Sequence, residues 1–423
     1  MSSTGDQEKT RVTIVGAGLF GLTTALELTK RGYNVLVLDR DLAPVRDGSS
    51  VDISRVIRPD YADMFYAQMG LEAMKGWEGE FSSFFHRSGL LCVAQGNSHA
   101  YLESSRQNLD RMGIRVETRA GSALRDYCPA IQGDLADTAG YFNPTCGWAD
   151  AQGSLQYLAR QCIDAGVSFL SGASGTVVSL VQDGARVVGV KTRAGSVLRA
   201  DLVVLATGAW TPHLVEMDNL AISTSQPVGF IQLTNEEAGQ LKDCPVIINL
   251  STGWFVFPPT PGTNMLKMAR HGYGYETCRL ASGTKRPISA PLLSFGNTNP
   301  DFLPVDAEAA LRDGLASFFP QFADKRFCNR RLCWYSDTRQ GDFVVDFHPS
   351  FQNLFVSTGD SGHAFKFLPI LGRYIVDNLE GKADPDQKAK WAWKQSSIPI
   401  TRGDGSRGGP PRRLLKKDEQ ARL

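Results

Sequence analysis

Several things are missing from this 423-residue chain. No uncharged apolar run of about 18 residues occurs outside segments with a better globular explanation, which excludes a membrane-spanning helix. The opening MSSTGDQEKT contains no apolar signal core, so a secreted product is not expected. An excess of one charge is also absent: 45 Lys and Arg stand against 44 Asp and Glu, for a formal charge of +1. A nucleic-acid partner would require a basic surplus able to neutralise phosphates. No CxxC pair and no internal repeat are present. The eight cysteines, at 92, 128, 146, 162, 244, 278, 328 and 333, are scattered and read as reduced thiols of an intracellular protein. The length suits roughly two to three domain-sized units. With 42% hydrophobic and 21% charged residues, the chain is expected to be soluble and globular.

The first informative stretch is RVTIV (Arg11 to Val15), a β-branched run that ends directly in GAGLFG, with glycines at 16, 18 and 21. Leu22, Ala25, Leu26 and Leu28 then recur at helical spacing up to Gly32, and Val35 to Leu38 forms a second strand ending in Asp39. This is a complete strand–helix–strand unit for binding a dinucleotide. Gly16 permits the tight turn, Gly18 lets a pyrophosphate approach the backbone and Gly21 lets the helix pack closely on the strand. The helix N-terminus faces the phosphates. Asp39 stands where a carboxylate accepts hydrogen bonds from ribose hydroxyls. The motif alone does not separate FAD from NAD. Farther on, DLVVLATGAW (Asp201 to Trp210) follows hairpin-like runs at Thr176 to Gln182 and Ala185 to Thr192. That layout looks like the second fingerprint of two-domain FAD oxidoreductases.

Helical character is predicted for Tyr61 to Phe85, Ser98 to Met112, Ala151 to Ala165 and Ala307 to Phe319. Strands are predicted at Trp254 to Phe257 and Asn264 to Arg270, around a Pro/Gly turn, and again at Arg331 to Tyr335, Phe343 to Phe347 and Leu354 to Ser357. TGDSGH (Thr358 to His363) is a turn before a helix from Phe365 to Leu379. The last 22 residues, from Arg402, hold seven basic and three acidic residues and GGPP at 408 to 411, and a mobile, solvated tail is expected.

Four separated stretches, GAGLFG with Asp39, SRVIR (54–58), CWY (333–335) and SGHAFK (361–366), resemble the monomeric sarcosine oxidase family of FAD-dependent amine oxidases. That family includes pipecolate and saccharopine oxidases and the amadoriases. The resemblance spans Arg11 to Leu379. It implies a fold that is α/β plus α+β: a Rossmann-like FAD-binding domain (residues 1–88, 148–219 and 338–385) interleaved with an antiparallel-sheet substrate domain (89–147 and 220–337), then a basic tail (386–423). The implied cofactor is FAD, the implied reaction oxidation of a carbon–nitrogen bond next to a carboxylate, and oxygen is reduced to hydrogen peroxide. A monomer is implied.

The same resemblance implies roles for particular residues. Cys333 matches the cysteine bonded covalently to the flavin, and Arg331, two residues away on the same strand face, is expected to lower its thiol pKa. Alternation places Met265, Lys267, Ala269 and His271 on one strand face, and periodicity does not say whether that face meets flavin or water. Lys267 matches a lysine credited with oxygen activation, where a fixed positive charge stabilises superoxide. His271 matches an active-site histidine, and Arg55 an arginine beside the flavin ring. Arg58 and Lys366 match the pair that grips the substrate carboxylate. Lys366 would start a helix, where the macrodipole disfavours a cation. Tyr335 and Gly362 complete the substrate side, and Trp254 and Phe255 are either pocket wall or ordinary core. The implied cofactor wall comprises Gly16, Gly18, Leu19, Phe20, Gly21, Asp39, Arg40, Ser54, Val177, Gly208, Trp210, Cys333, Gly359, Gly362, His363 and Lys366.

Amadoriases carry a sugar-binding carboxylate near the position of His271, where this chain reads Lys-Met-Ala-Arg-His. That difference favours a secondary or N-methylated amino acid over a fructosyl one and leaves saccharopine-like substrates open. A dehydrogenase that passes electrons to a partner, or a flavoprotein without catalysis, are the alternatives of other kinds. The terminal Ala421-Arg422-Leu423 resembles a relaxed peroxisomal address read by an import receptor, with the cytoplasm as the alternative location.

Overall fold

The computed structural model describes residues 9–96, 99–217, 219–280, 287–293, 302–394, 397, 400 and 403–423. The leader residues 1–8, Ser98 and Arg402 lie outside these. The run Arg11–Val15 sits inside a six-stranded sheet, in the order Val344–Phe347, Leu354–Thr358, Leu202–Leu205, Arg11–Val15, Asn34–Leu38, Ser168–Leu170. Every pairing is parallel except the first. Strands buried on both faces read as continuous apolar runs, and LVVL is buried at all four positions. The helix Leu19–Lys30 and the helix Leu368–Leu379 cover one face, closely enough that a Cβ on Gly372 would collide with the backbone of Thr23.

The second sheet has ten strands. Its central strand, Ala221–Gln232, pairs antiparallel with Met265–Arg270 on one side and with Phe327–Thr338 on the other. The register sets Phe230 opposite Lys267, Val228 opposite both Ala269 and Arg331, Gln226 opposite Cys333 and Thr224 opposite Tyr335. Because side chains alternate across a sheet, Gln226, Val228, Lys267, Ala269, Cys333 and Tyr335 emerge together on one face, and all six line a single cleft. The other face presents Leu266, Met268, Ile231 and Leu332 to the helix Val305–Phe318. Trp254 belongs to that core, 1% exposed and stacked on Phe318, whereas Phe255 lines the cleft. The two residues left undecided between wall and core thus divide, one to each.

Two expectations require correction. Cys128 and Cys244, separated by 116 residues, form a disulfide with their Cα atoms 4.8 Å apart. The other six cysteines are free. Spacing carried no hint of this pair, because distant chain segments meet only when the sheet assembles. The uniform reading of reduced thiols fails, and with it the inference from thiols to compartment.

The basic tail is not a solvated appendage where it is described. Residues 403–409 form a strap against the second sheet, Arg413–Leu414 adds a strand beside Tyr275–Glu276, and Leu423 packs against the core below it. Net charge concealed specific partners: Arg413 pairs with Asp306 and Glu419, and buried Arg407 pairs with buried Asp337. Arg407→Ala leaves Asp337 buried, with Thr224 at 2.5 Å as a neutral partner. Breaking such a pair costs about 3–5 kcal/mol, so a thermal melt of the holoprotein should show Tm lower by several degrees, with Arg407→Lys recovering part of the loss.

Among the described residues no helix is long and apolar enough to cross a membrane.

Candidate active site

The cleft runs between the two sheets. At one end the strand Arg11–Val15 turns at Gly16, whose φ is +108° and whose missing Cβ would overlap the backbone of Ala206. Gly21 fits against the carbonyl of Gly16 and does not itself line the cleft. Gly18 caps the helix Leu19–Lys30 with no side-chain hydrogen bond, so the positive end of the helix opens into the cleft. Asp39 accepts from the backbone N–H of Ala17 and of Arg40, both at 2.6 Å. Arg40 makes a two-point contact with Asp47 and lies 4.4 Å over the Trp210 ring. Val177, Gly208, Leu19 and Phe20 complete this end. Gly208 has φ +51° and open space where a Cβ would be.

At the far end one buried carboxylate gathers three cations. Asp52, absent from the sequence-derived set, meets Lys267 at 2.8 Å, Arg331 at 3.2 Å and Arg55. Burial pushes its carboxyl up, but the three cations outweigh that and hold it well below the ordinary range. The Lys267 ammonium, 2% exposed, also donates to the Ser54 carbonyl at 2.6 Å and lies 4.7 Å from the Phe257 ring. Burial draws its pKa down, Asp52 pulls it back up, and Arg55 and Arg331 lower it again. Ser54 thus contributes a carbonyl to the lysine and is not part of the cleft lining.

Cys333 is buried on the same face. Burial raises its thiol pKa, with Arg55 and then Arg331 opposing. Arg331 does pull the thiol down as expected, after the stronger Arg55, but the net direction is upward because desolvation of a thiolate dominates.

Beyond this cluster lie Arg58 and Lys366, their charges 4.8 and 5.2 Å from the centroid of one ring, Tyr61. Lys366 does not start the α-helix as expected. It sits in the 3-10 turn Ala364–Phe367 ahead of it, with its carbonyl held by the Trp77 indole at 2.7 Å and its ammonium donating to the His363 carbonyl at 2.8 Å. Burial, reinforced by Arg58, drives its pKa well below the lysine range. His363 is fixed at both ring nitrogens, 2.7 Å from the Gly341 carbonyl and 2.9 Å from the Tyr61 hydroxyl. Gly362, at φ +72°, lies against the Tyr335 ring, whereas Gly359 presses on Thr338 and Val344 and turns the chain without lining the cleft. Burial and the surrounding cations Arg407, Arg58 and Lys366, with His363, hold His271 well below the ordinary histidine range.

Residues 11–378 match the family model described as FAD dependent oxidoreductase. The chain belongs to that family. Among relatives of this FAD dependent oxidoreductase, L-saccharopine oxidase of Schizosaccharomyces pombe is 31% identical over 404 residues, covering 91% of this chain and 93% of the relative. Monomeric sarcosine oxidase of a Bacillus species is 24% identical, over 89% and 94%. The crystal structure of fructosamine oxidase (Amadoriase II) from Aspergillus fumigatus superposes with a TM-score of 0.84 at 30% identity, covering 96% of this chain and 95% of that one.

The cleft fits FAD in two respects. Its glycine end sets the N-terminus of the helix Leu19–Lys30, whose first N–H donates to the Ser50 hydroxyl at 3.1 Å, beside the cleft for a pyrophosphate, and its far end holds three cations against one carboxylate, a surplus suited to negative charge on a reduced ring system.

Sequence reasoning missed Asp52, Tyr61, Asp360 and the strap. The available signal for Asp52 was that it is the one acid between Gly48 and Pro59, beside two arginines that must be neutralised if buried. Asp360 accepts from the Ser336 and Gly362 backbones at 2.9 and 3.0 Å, and burial raises its pKa to about 6.

Proposed function

We propose that this FAD dependent oxidoreductase is an oxidase of an amino acid with a secondary amine, N-methylated, cyclic or saccharopine-like, which it converts to an imine while oxygen becomes hydrogen peroxide. The observation that carries the reading is the pair Arg58 and Lys366. Both stand over one aromatic ring, and among the described residues neither has a carboxylate at ion-pair distance. A buried ammonium without a counter-ion is costly, and a substrate carboxylate supplies what is missing through charge-assisted hydrogen bonds.

FAD, when bound, supplies the acceptor for a hydride equivalent and relays the electrons to oxygen. Arg58 and Lys366 orient the substrate by its acid group. Tyr335, Phe255 and Phe257 exclude water around the amine, and a desolvated amine loses its proton more readily. Lys267, held by Asp52 and the Ser54 carbonyl, places positive charge where dioxygen takes up its first electron. Cys333, at the edge of the same cluster, is the tether to the flavin in this reading. The strand Met265–Arg270 carries no carboxylate with which to hold sugar hydroxyls, which favours a secondary amino acid over a fructosyl one.

The test is anaerobic titration of the yellow holoprotein with sarcosine, pipecolate, N-methylated aromatic amino acids, saccharopine and fructosyl amino acids. Bleaching by a secondary amino acid, with one peroxide formed per substrate once air is admitted, is the expected result, and a flavin bleached by none of them would sink the reading. Acid precipitation should leave the flavin on the wild-type protein and release it from Cys333→Ser.

A further inference from the structure

The Lys267 ammonium carries three N–H donors, and oxygens take only two of them. One goes to Asp52 at 2.8 Å and one to the Ser54 carbonyl at 2.6 Å. Among the described residues no third oxygen accepts from it. The ammonium lies instead over the Phe257 ring, 4.7 Å from its centroid, and both side chains are buried and line the cleft.

Phe257 is held for that contact. Its backbone N–H donates to the Lys267 carbonyl at 3.1 Å, one step along from the pairing of Val256 with Met268. Its ring belongs to the apolar cluster of Leu90, Val246 and Leu250 and meets Phe255 edge to face, with centroids 5.7 Å apart. A cation within about 6 Å of an aromatic face is attracted by the ring quadrupole, most strongly where water is excluded.

That attraction matters here because Asp52 is shared. The groups facing Lys267 are Asp52 and Arg55 from the segment before and within Arg55–Ile57, and Arg331 and the Cys333 thiol from Phe327–Thr338. The flanking strands Ala221–Gln232 and Trp254–Val256 bring no charged side chain. One carboxylate serves three cations, so the lysine has no counter-ion of its own. Burial, only partly offset by Asp52, draws it down to about 7, which leaves its charge finely balanced at neutral pH.

We propose that Phe257 is a positioning residue for the reaction with oxygen: its π face holds the third side of the Lys267 ammonium and keeps the lysine charged within the buried cluster. The inference rests on the function proposed above, in which that charge meets dioxygen as it takes up its first electron. The ring interacts with the charged form alone. A leucine at 257 would exclude water as well but offer the ammonium nothing, so the lysine would lose its proton at lower pH.

The test is direct titration of Lys267 in oxidised holoprotein labelled with ¹³C at lysine Cε, with Lys267→Met to assign the signal. Phe257→Leu should lower the midpoint by about 1 to 1.5 pH units, a 10- to 30-fold loss of proton affinity, and Phe257→Tyr should restore it. Holoprotein reduced beforehand with stoichiometric dithionite and mixed with oxygen should show the falling limb of its rate displaced to lower pH by the same amount in Phe257→Leu. Below both midpoints the two proteins should react alike. A structural role alone would lower Tm and move neither midpoint nor limb. A midpoint unmoved in Phe257→Leu, one lowered equally in Phe257→Tyr, or a limb that stays while the midpoint moves would each overturn the assignment. Because neither measurement uses a substrate, failure of every amine to bleach the flavin would remove the proposed function and leave the hold of Phe257 on Lys267 to be decided by the titration.

Discussion

Lys267→Met should slow the reaction of the reduced holoprotein with oxygen by about 100- to 1,000-fold, the usual cost of removing one preorganised electrostatic contact, while changing anaerobic reduction by substrate by about threefold or less. Stopped-flow measurement of the two half-reactions separates these. The asymmetry has a structural cause. Lys267 sits on the Asp52 cluster and not at the Arg58 and Lys366 end, so in the proposed function it acts on charge developing on oxygen and not on substrate binding. The variant should still fold, because Asp52 keeps Arg331 at 3.2 Å and Arg55. In the wild type, since burial lowers the Lys267 pKa, the rate of reaction with oxygen should fall with rising pH well before the ordinary lysine value of about 10.4 is reached. Equal losses in both half-reactions would assign the lysine to a general structural role.

The second large effect concerns the carboxylate clamp. Arg58→Met should weaken substrate binding by about 10- to 150-fold, the equivalent of about 1.5–3 kcal/mol for a hydrogen bond to a charged group, measured as the Kd for anaerobic flavin reduction. A decarboxylated analogue of the same amine should bind wild type and variant alike. Lys366→Met should weaken binding similarly yet raise Tm, because it removes a buried cation that has no carboxylate at ion-pair distance among the described residues. Binding and stability moving in opposite directions is what a site reserved for a missing anion requires. The sign of the pH effect follows. The free Lys366 pKa is drawn well down by burial and a bound carboxylate draws it back up, so substrate binding takes up a proton and affinity falls as pH rises between those two values. Lys366→Met should lose that dependence while keeping the rest of the profile.

Asp52 shows why some of the site was hidden. In VDISRVIR it is one acid beside two arginines, and nothing local says that Lys267, 215 positions later, will lie 2.8 Å away. Its consequence is large, since it turns a lysine expected as an isolated fixed charge into one member of a buried cluster whose net charge is what the cleft presents. The thiol of Cys333 was misjudged for a related reason: strand alternation correctly put Arg331 on its face but could not show how completely the thiol is buried, and burial outweighs the arginines. The strap is the third example. Counted as charge, its one arginine reads as solvated; placed in three dimensions, Arg407 is 8% exposed, against an aspartate that is 1% exposed.

What could be read directly from the residue order was whatever repeats or turns within a few positions: the strand–glycine–helix unit at Arg11 to Asp39, the alternation that gathers Lys267 with Ala269 and Cys333 with Tyr335, and the resemblance carried by four short motifs. Backbone geometry and side-chain periodicity are local, so they survive in a linear text. Which buried charge meets which, that Cys128 finds Cys244, that Trp254 turns to the helix while Phe255 turns to the cleft, and that Ser406 reaches His271 were decided by the packing of the second sheet. Such partnerships depend on distances through space between segments far apart in the chain, and no property of the segments taken singly contains them.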